Sequence, residues 1–324
     1  MPPTRATLEG DGVAPWLAEF FEGLAQEQPD YLEGLLVTLG EVVVLDGTKA
    51  HCRCHFLARD GNGNPRINAL AKALARQAVT FCMPRSVVAE AGEHYERTKS
   101  ADKFVELQER TKNLFTRVEK SGEGGELLLY VLLETILQIP QLLCKMPLKT
   151  NKEMHIHGSD GIHAKLLDNG NLALYWGESK LHGTANGAID SCFKSIAPYL
   201  KDEGGTEATE RDLILVREKL DAGDQEATAA LARYFEDAGA ESAKVEFRGA
   251  CLIGFDLKDY PEPLKAGGEI VEGIATSIEK WHQRIAARVG DHDLESFEFE
   301  VFCIPMPSVK EFRAALRDRL GLKT

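Results

Sequence analysis

The stretch that most constrains the fold runs from Gly158 to Lys180, GSDGIHAKLLDNGNLALYWGESK. Two alternating runs flank Asp168-Asn169-Gly170, a strong short-range signal for a β-hairpin. Two registers are open. A two-residue Asn-Gly turn pairs Asp160 with Ser179 and sends Glu178 to the opposite face, whereas a three-residue loop with Gly170 left-handed pairs Asp160 with Glu178. The hydrophobic pattern selects the second. One face then reads Leu166, Ala164, Ile162 and Asp160, against Leu172, Leu174, Trp176, Glu178 and Lys180. The other carries Lys165, His163 and Gly161 against Ala173, Tyr175, Gly177 and Ser179. Two carboxylates and a lysine are thus expected together at the end of an apolar face.

The flanking segments predict a sheet for this hairpin to join. ELLLYVLLETIL, 126–137, is an apolar helix with Glu134 inside it and Glu126 in its first turn, where the helix dipole favours a carboxylate. Glu126 reads either as a first-turn acid or as a third acid aimed at the hairpin. A short strand within 142–151 follows, with Lys145, Lys149 and Lys152 suited either to phosphates or to a solvated edge. After the hairpin, helix 184–200 places Ala188, Ile189, Cys192, Phe193 and Ile196 on one face, with Lys194 off it. An acidic, alanine-rich helical insertion at about 201–240, a strand at 245–257, a helix at 268–289, a strand at 297–307 and a closing helix complete an α/β domain over 121–324. Its expected form is a mixed sheet flanked by helices.

Upstream, the first forty residues look helical around Trp16, Phe20, Phe21 and Leu24. A hairpin over 41–58 turns at Asp46-Gly47, and helical patterns cover 67–80 and 86–120, broken at Pro84. These make an N-terminal α/β domain over 1–120, with SGEGG, 121–125, as its glycine-rich boundary. HCRCH, His51 to His55, lacks the ligand spacing of a zinc site and reads as strand.

Composition narrows the setting. With 44% hydrophobic and 27% charged residues the chain is of the soluble globular class. No apolar run approaches the ~20 residues of a membrane span, and MPPTRATLEGDG lacks a basic-then-apolar signal. Seven cysteines, an odd number, argue for reduced thiols and a cytoplasmic setting. The net charge of −13 is uneven: residues 126–200 carry 6 basic and 7 acidic groups, residues 201–324 carry 17 and 26. The hairpin region is therefore nearly neutral, and the acidity elsewhere is a solvated surface or one for a basic partner.

Two carboxylates at a strand end form a hard, oxygen-rich site suited to Mg²⁺ or Mn²⁺. Such an ion polarises a phosphoryl oxygen and lowers the pKa of an attacking water. Lys180 can orient or deprotonate that water and counter transition-state charge, and the backbone carbonyl of Ser179 can complete the coordination. The set predicts metal-assisted phosphodiester hydrolysis. The bland alternative makes Glu178 and Lys180 an exposed strand pair and Asp160 a turn acid. His155, His157, His163 and His182 surround the motif. His163 faces away from the acids and reads as structural, His182 is placed near the bound strand, and Lys149 and Lys194 are the expected phosphate contacts.

GSDGIH and GESK, with 18 residues from acid to acid, resemble the PD-(D/E)xK, or restriction-endonuclease-like, nuclease core. In that pattern Asp160 matches the first metal-binding acid, Glu178 the second and Lys180 the catalytic lysine. GGELLLYVLLE resembles the Gly-Glu start of the family's first helix, whose acid, here Glu126, often assists the metal. Ser159 stands where a proline often precedes the first acid. A wider likeness runs from GEGGELLLYVLLE through KMPLKTNKEMHIHGSDGIH to LYWGESKLHG, with FCMPRSVV upstream. It resembles the HamA family, the nuclease subunits of Hachiman anti-phage systems. That resemblance implies DNA as substrate, a superfamily-2 helicase partner (HamB), and a nuclease held quiet until the helicase delivers it. Helicase docking is then the expected role of residues 1–120. A non-catalytic, DNA- or helicase-binding regulatory subunit is the alternative, and the intact Asp160, Glu178 and Lys180 speak against it. A stand-alone sequence-specific endonuclease would call for a target-recognition module, and the sequence displays no helix-turn-helix or zinc finger.

Overall fold

Seven strands form one mixed sheet in the computed structural model, which describes residues 15–26, 31–115, 122–149, 158–201, 207–236, 244–258, 260–261 and 272–322. In chain order the elements are α1 (Pro15–Gln26), β1 (Leu36–Val44), β2 (Lys49–Leu57), α2 (Ile67–Cys82), α3 (Arg85–Thr98), α4 (Asp102–Phe115) and α5 (Glu123–Ile136). There follow β3 (Gln141–Leu143), α6 (Met146–Lys149), β4 (Gly161–Leu166), β5 (Leu172–His182), α7 (Ala185–Leu200), α8 (Glu207–Lys219) and α9 (Gln225–Ala232). A 3₁₀ turn (Arg233–Phe235), β6 (Val245–Asp256), α10 (Glu272–Asp291), β7 (Glu298–Met306) and α11 (Val309–Arg319) complete the chain.

The strand order is β1-β2-β7-β6-β5-β4-β3. The four inner strands β2, β7, β6 and β5 run parallel, and antiparallel pairings flank them on both sides. Parallel strands covered on both faces read as continuous apolar runs, and Ala250–Phe255 of β6 is such a run. Each face has its own core. On one, Ile162, Leu174 and Trp176 pack with Ala188, Ile189, Cys192, Phe193 and Ile196 of α7, joined by residues of α1, α9 and α10. On the other, Ala173, Tyr175, Leu252 and Phe302 meet the apolar run of α5 together with α2 and α11. The α7 stripe recurs at helical spacing, and Thr184 caps that helix by accepting the Gly187 N–H.

Apart from the segment 142–151, the helices and strands expected downstream of residue 126 form close to their expected bounds, and the mixed sheet flanked by helices is the architecture observed. Elsewhere the chain departs from expectation. Only α1 of the first forty residues is helical among those described, because Leu35, Val37 and Leu39 alternate with exposed or half-exposed neighbours and start β1 early. The 86–120 pattern splits at Lys99, which ends α3 in the left-handed conformation at φ 56°. The expected strand in 142–151 shortens to β3, after which the chain turns into α6. Gly124 and Gly125 of SGEGG lie in the first turn of α5 rather than in a break. Helices α8 and α9 fall in the segment expected as a helical insertion, and Val216, Leu231 and Phe235 there belong to the main core. Since β2 pairs with β7, the sheet draws strands from both sides of residue 120. No helix among the described residues is long and apolar enough to cross a membrane.

Candidate active site

The hairpin adopts the register that the apolar pattern selects. Leu166 faces Leu172, Ile162 faces Trp176 and Gly161 faces Gly177. Gly170 takes φ 83°, and the Leu167 N–H donates to Asn171 O at 2.8 Å across the turn. The ladder ends at Gly161 opposite Gly177, and the Asp160 N–H also donates to Gly177 O at 2.8 Å, which leaves Asp160 just outside the paired strand with its charge felt at Glu178. The pair lies where β4 begins and β5 nears its end, towards the carboxyl ends of the parallel strands.

Each acid is held by a neighbour on β5. Where β4 has not yet begun, the Asp160 carboxylate itself accepts the Ser179 N–H and the Ser179 hydroxyl, both at 2.8 Å from Oδ2. Glu178 is buried, and its Oε1 accepts from Lys180 Nζ. Two residues along a strand return a side chain to the same face, which is why Lys180 reaches Glu178. Burial pushes the Glu178 carboxyl up to about 7; Asp160 and Glu126 push the same way and Lys180 opposes them. For Lys180 burial works downwards, but Glu178 and Asp160 outweigh it and hold the ammonium above its ordinary value. At neutral pH the lysine is therefore a fixed positive charge beside two acids. From beneath, Cys192 Sγ donates to the Glu178 carbonyl at 3.5 Å.

Glu126 comes from the opposite side of the sheet, on α5. A Cβ on the preceding Gly125 would stand 3.0 Å from Ser179 Oγ and 3.2 Å from Leu181 Cγ, so only glycine lets the helix approach β5 this closely. Glu126 is itself buried, and its charge reaches Glu178. His182 ends β5, its pKa lowered by burial and then by Lys180 and Arg313. Arg313 of α11 donates to Leu181 O at 3.0 Å, an approach that the sequence did not announce.

Lys194 is exposed on α7, off its buried face. Lys149 closes α6, while Lys152, His155 and His157 lie outside the described residues. Lys145, expected as a phosphate contact or part of a solvated edge, is instead buried and paired with Asp212 at 2.6 Å. His163 is buried on the other face of the hairpin, where Nδ1 bonds Ile139 O at 3.0 Å. Glu134 pairs with Arg85 at 2.8 Å and accepts the Gln141 N–H at 2.8 Å, tying α5 to α3 and β3. HCRCH lies in β2, as expected of a strand.

Among the described residues no group of three or more His, Cys, Asp or Glu is arranged to hold a metal ion. Two carboxylates, Asp160 and Glu178, are what the hairpin brings together. A cavity of about 380 Å³ lies elsewhere, lined by Met83, Arg85, Tyr130, Leu142 and Cys144. It contains none of the hairpin acids and is set apart from their chemistry. Comparison of the chain with protein families gives a match over residues 35–320, to HamA. No curated protein matches it.

Proposed function

The chain belongs to the HamA family, which ties it to anti-phage defence, and we propose that within that role it is a metal-dependent DNA nuclease working with a helicase subunit. The observation that supports this reading is the meeting of Asp160 with the end of β5, where its carboxylate bonds Ser179, the residue between Glu178 and Lys180, and Lys180 bonds Glu178. Ser179 engages one oxygen of Asp160, and Lys180 one oxygen of Glu178. Each acid thus keeps a second oxygen as a donor. With the Ser179 carbonyl and water, these two acids would offer hard oxygen donors of the kind Mg²⁺ or Mn²⁺ takes, an ion that keeps much of its water shell, while Glu126 adds negative charge that reaches Glu178. The burial and mutual repulsion that raise Glu178 are relieved by a cation. When bound, the ion would polarise the scissile phosphate and acidify an attacking water.

The chain's own residues supply the rest. Ser179 fixes the Asp160 carboxylate through two hydrogen bonds. Lys180, held protonated by its acidic neighbours, can donate to the water or to a phosphate oxygen and oppose the charge that grows on phosphorus. In the reaction water oxygen bonds to phosphorus, the phosphorus–ester oxygen bond breaks, and the departing oxygen gains a proton. His182, Lys194 and Lys149 are proposed to follow the DNA backbone. A net charge of −13 gives a weak grip on a polyanion. Delivery by a helicase, the partner that the family likeness implies, would supply it. The seven cysteines, none of them in a disulfide, suit the reducing cytoplasm in which this would happen.

The test is plasmid cleavage by the full chain, with and without its helicase and ATP, in Mg²⁺ and in EDTA. Glu178→Ala and Lys180→Ala should each lower cleavage by at least ~10²-fold, the scale on which loss of a transition-state contact is felt. Cleavage that survives both substitutions would refute the site. No cleavage by wild type, even with helicase, ATP and Mg²⁺, would favour a regulatory subunit.

A further inference from the structure

We propose that Lys145 and Asp212 are positioning residues that fix the backbone before Asp160 and so set the orientation of the first acid. The inference rests on the nuclease reading and extends it to a layer behind the site. Lys145 follows β3 and Asp212 lies on α8, yet both side chains converge on Ser159, the residue immediately before Asp160. Lys145 Nζ donates to Ser159 O at 2.9 Å, to Ser159 Oγ at 3.0 Å and to Asp212 Oδ2 at 2.6 Å. Asp212 Oδ2 accepts the Ser159 N–H and its hydroxyl, each at 3.2 Å. Every polar atom of Ser159 is thereby held by one ion pair.

The pair is poorly explained by stability alone. Its side chains are 2% and 0% exposed, and desolvating two charges costs about as much as their attraction returns. Asp212 Oδ1 has no hydrogen-bond partner among the described residues, a further cost that an apolar pair of the same volume would avoid. Gly158 shows how closely the chain is pressed against the pair. A Cβ there would stand 2.6 Å from Asp212 Oδ1 and 2.7 Å from Lys145 Nζ. Asp160 is therefore clamped from both sides. Ser179 holds its carboxylate, and the ion pair holds the peptide that carries it. Partners one step behind metal-binding carboxylates typically change affinity or activity ~10- to 100-fold when removed.

The experiment compares the wild-type full chain with Lys145→Met/Asp212→Leu and with Ser159→Ala. Calorimetric titration with Mn²⁺ alone, thermal unfolding, and helicase-dependent cleavage over a range of Mn²⁺ are measured for each. The double variant should melt no lower than wild type and bind Mn²⁺ at least ~10-fold more weakly. Its cleavage should recover as Mn²⁺ is raised, which a damaged fold would not show. Ser159→Ala, which keeps the pair and loses only the hydroxyl contacts, should fall between the two. A folded double variant with wild-type Mn²⁺ affinity and cleavage would overturn the proposal. Should the double variant fail to fold, wild-type affinity in Ser159→Ala would overturn it instead. A wild-type chain that neither binds Mn²⁺ nor cleaves would overturn the nuclease reading itself.

Discussion

At the scale of residues, a carboxylate that receives a cation must be aimed before the cation arrives, and at Asp160 the aiming is done by Ser179. Ser179→Ala removes the hydroxyl donor and leaves the N–H. We expect cleavage to fall roughly tenfold with the melting temperature nearly unchanged, since one of two orienting bonds is lost. Single-turnover rates beside a melting curve would check it, and an unchanged rate would assign the aiming to the backbone alone. The hairpin register was legible because a period of two carries it along a strand, and Ile162, Ala164, Leu174 and Trp176 marked which face was buried. The Ser179 hydroxyl was not, because it belongs to the opposite face of the alternation yet turns to bond Asp160. Asp212 was less legible still. Nothing local distinguishes it from the other acids of an acidic helix, and only the fold brings it to Ser159.

At the scale of elements, the contact that builds the site is the approach of α5 to β5. Gly125→Ala would set a methyl group against Ser179 and Leu181, and overpacking of this kind costs about 1–3 kcal/mol. Denaturant unfolding should show that loss, and cleavage should fall with it as Glu126 and Ser179 shift. A wild-type midpoint would show that the helix has room to move. Arg85→Met is a second probe, because it strands the buried Glu134 carboxylate between α3 and β3. About 3 kcal/mol of destabilisation is expected from an unpaired buried acid. The helices themselves were easy to read from their apolar spacing. Glycines were not: SGEGG looks like punctuation, whereas Gly125 serves close packing, and a sequence writes both in the same letter. The end of α3 at Lys99 carried no glycine or proline to mark it.

At the scale of the whole molecule, two buried histidines couple stability to pH. Burial lowers His55 and His163 to about 4, with Arg53 assisting at the first and Arg85 at the second, while a backbone bond to Ile139 opposes the shift at His163. In the unfolded chain both titrate near ~6.5, so below that pH the unfolded state binds protons that the native state refuses. Their contribution is complete above about pH 6.5 and is lost as the pH falls towards 4, by an upper limit of about 3 kcal/mol each. Urea unfolding at pH 7.5, 5.5 and 4.5 should show the decline, and a flat profile would count against both burials. The pairing of β2 with β7 shows what sequence patterns leave out at this scale. Parallel pairing leaves no local mark, so nothing in KAHCRCHFL announced that its partner is the last strand. That pairing also sets a timetable. Lys49 of β2 lies against Glu298 of β7, about 250 residues later, and a ribosome adding ~5–20 residues each second needs roughly 12–50 s to cover the interval. For that time the early hairpin has been made but its neighbour has not, and β2 waits with an open edge while Val42, Val43 and Val44 stay uncovered even at the end. The span between those two strands is when a newborn chain is most in need of a chaperone.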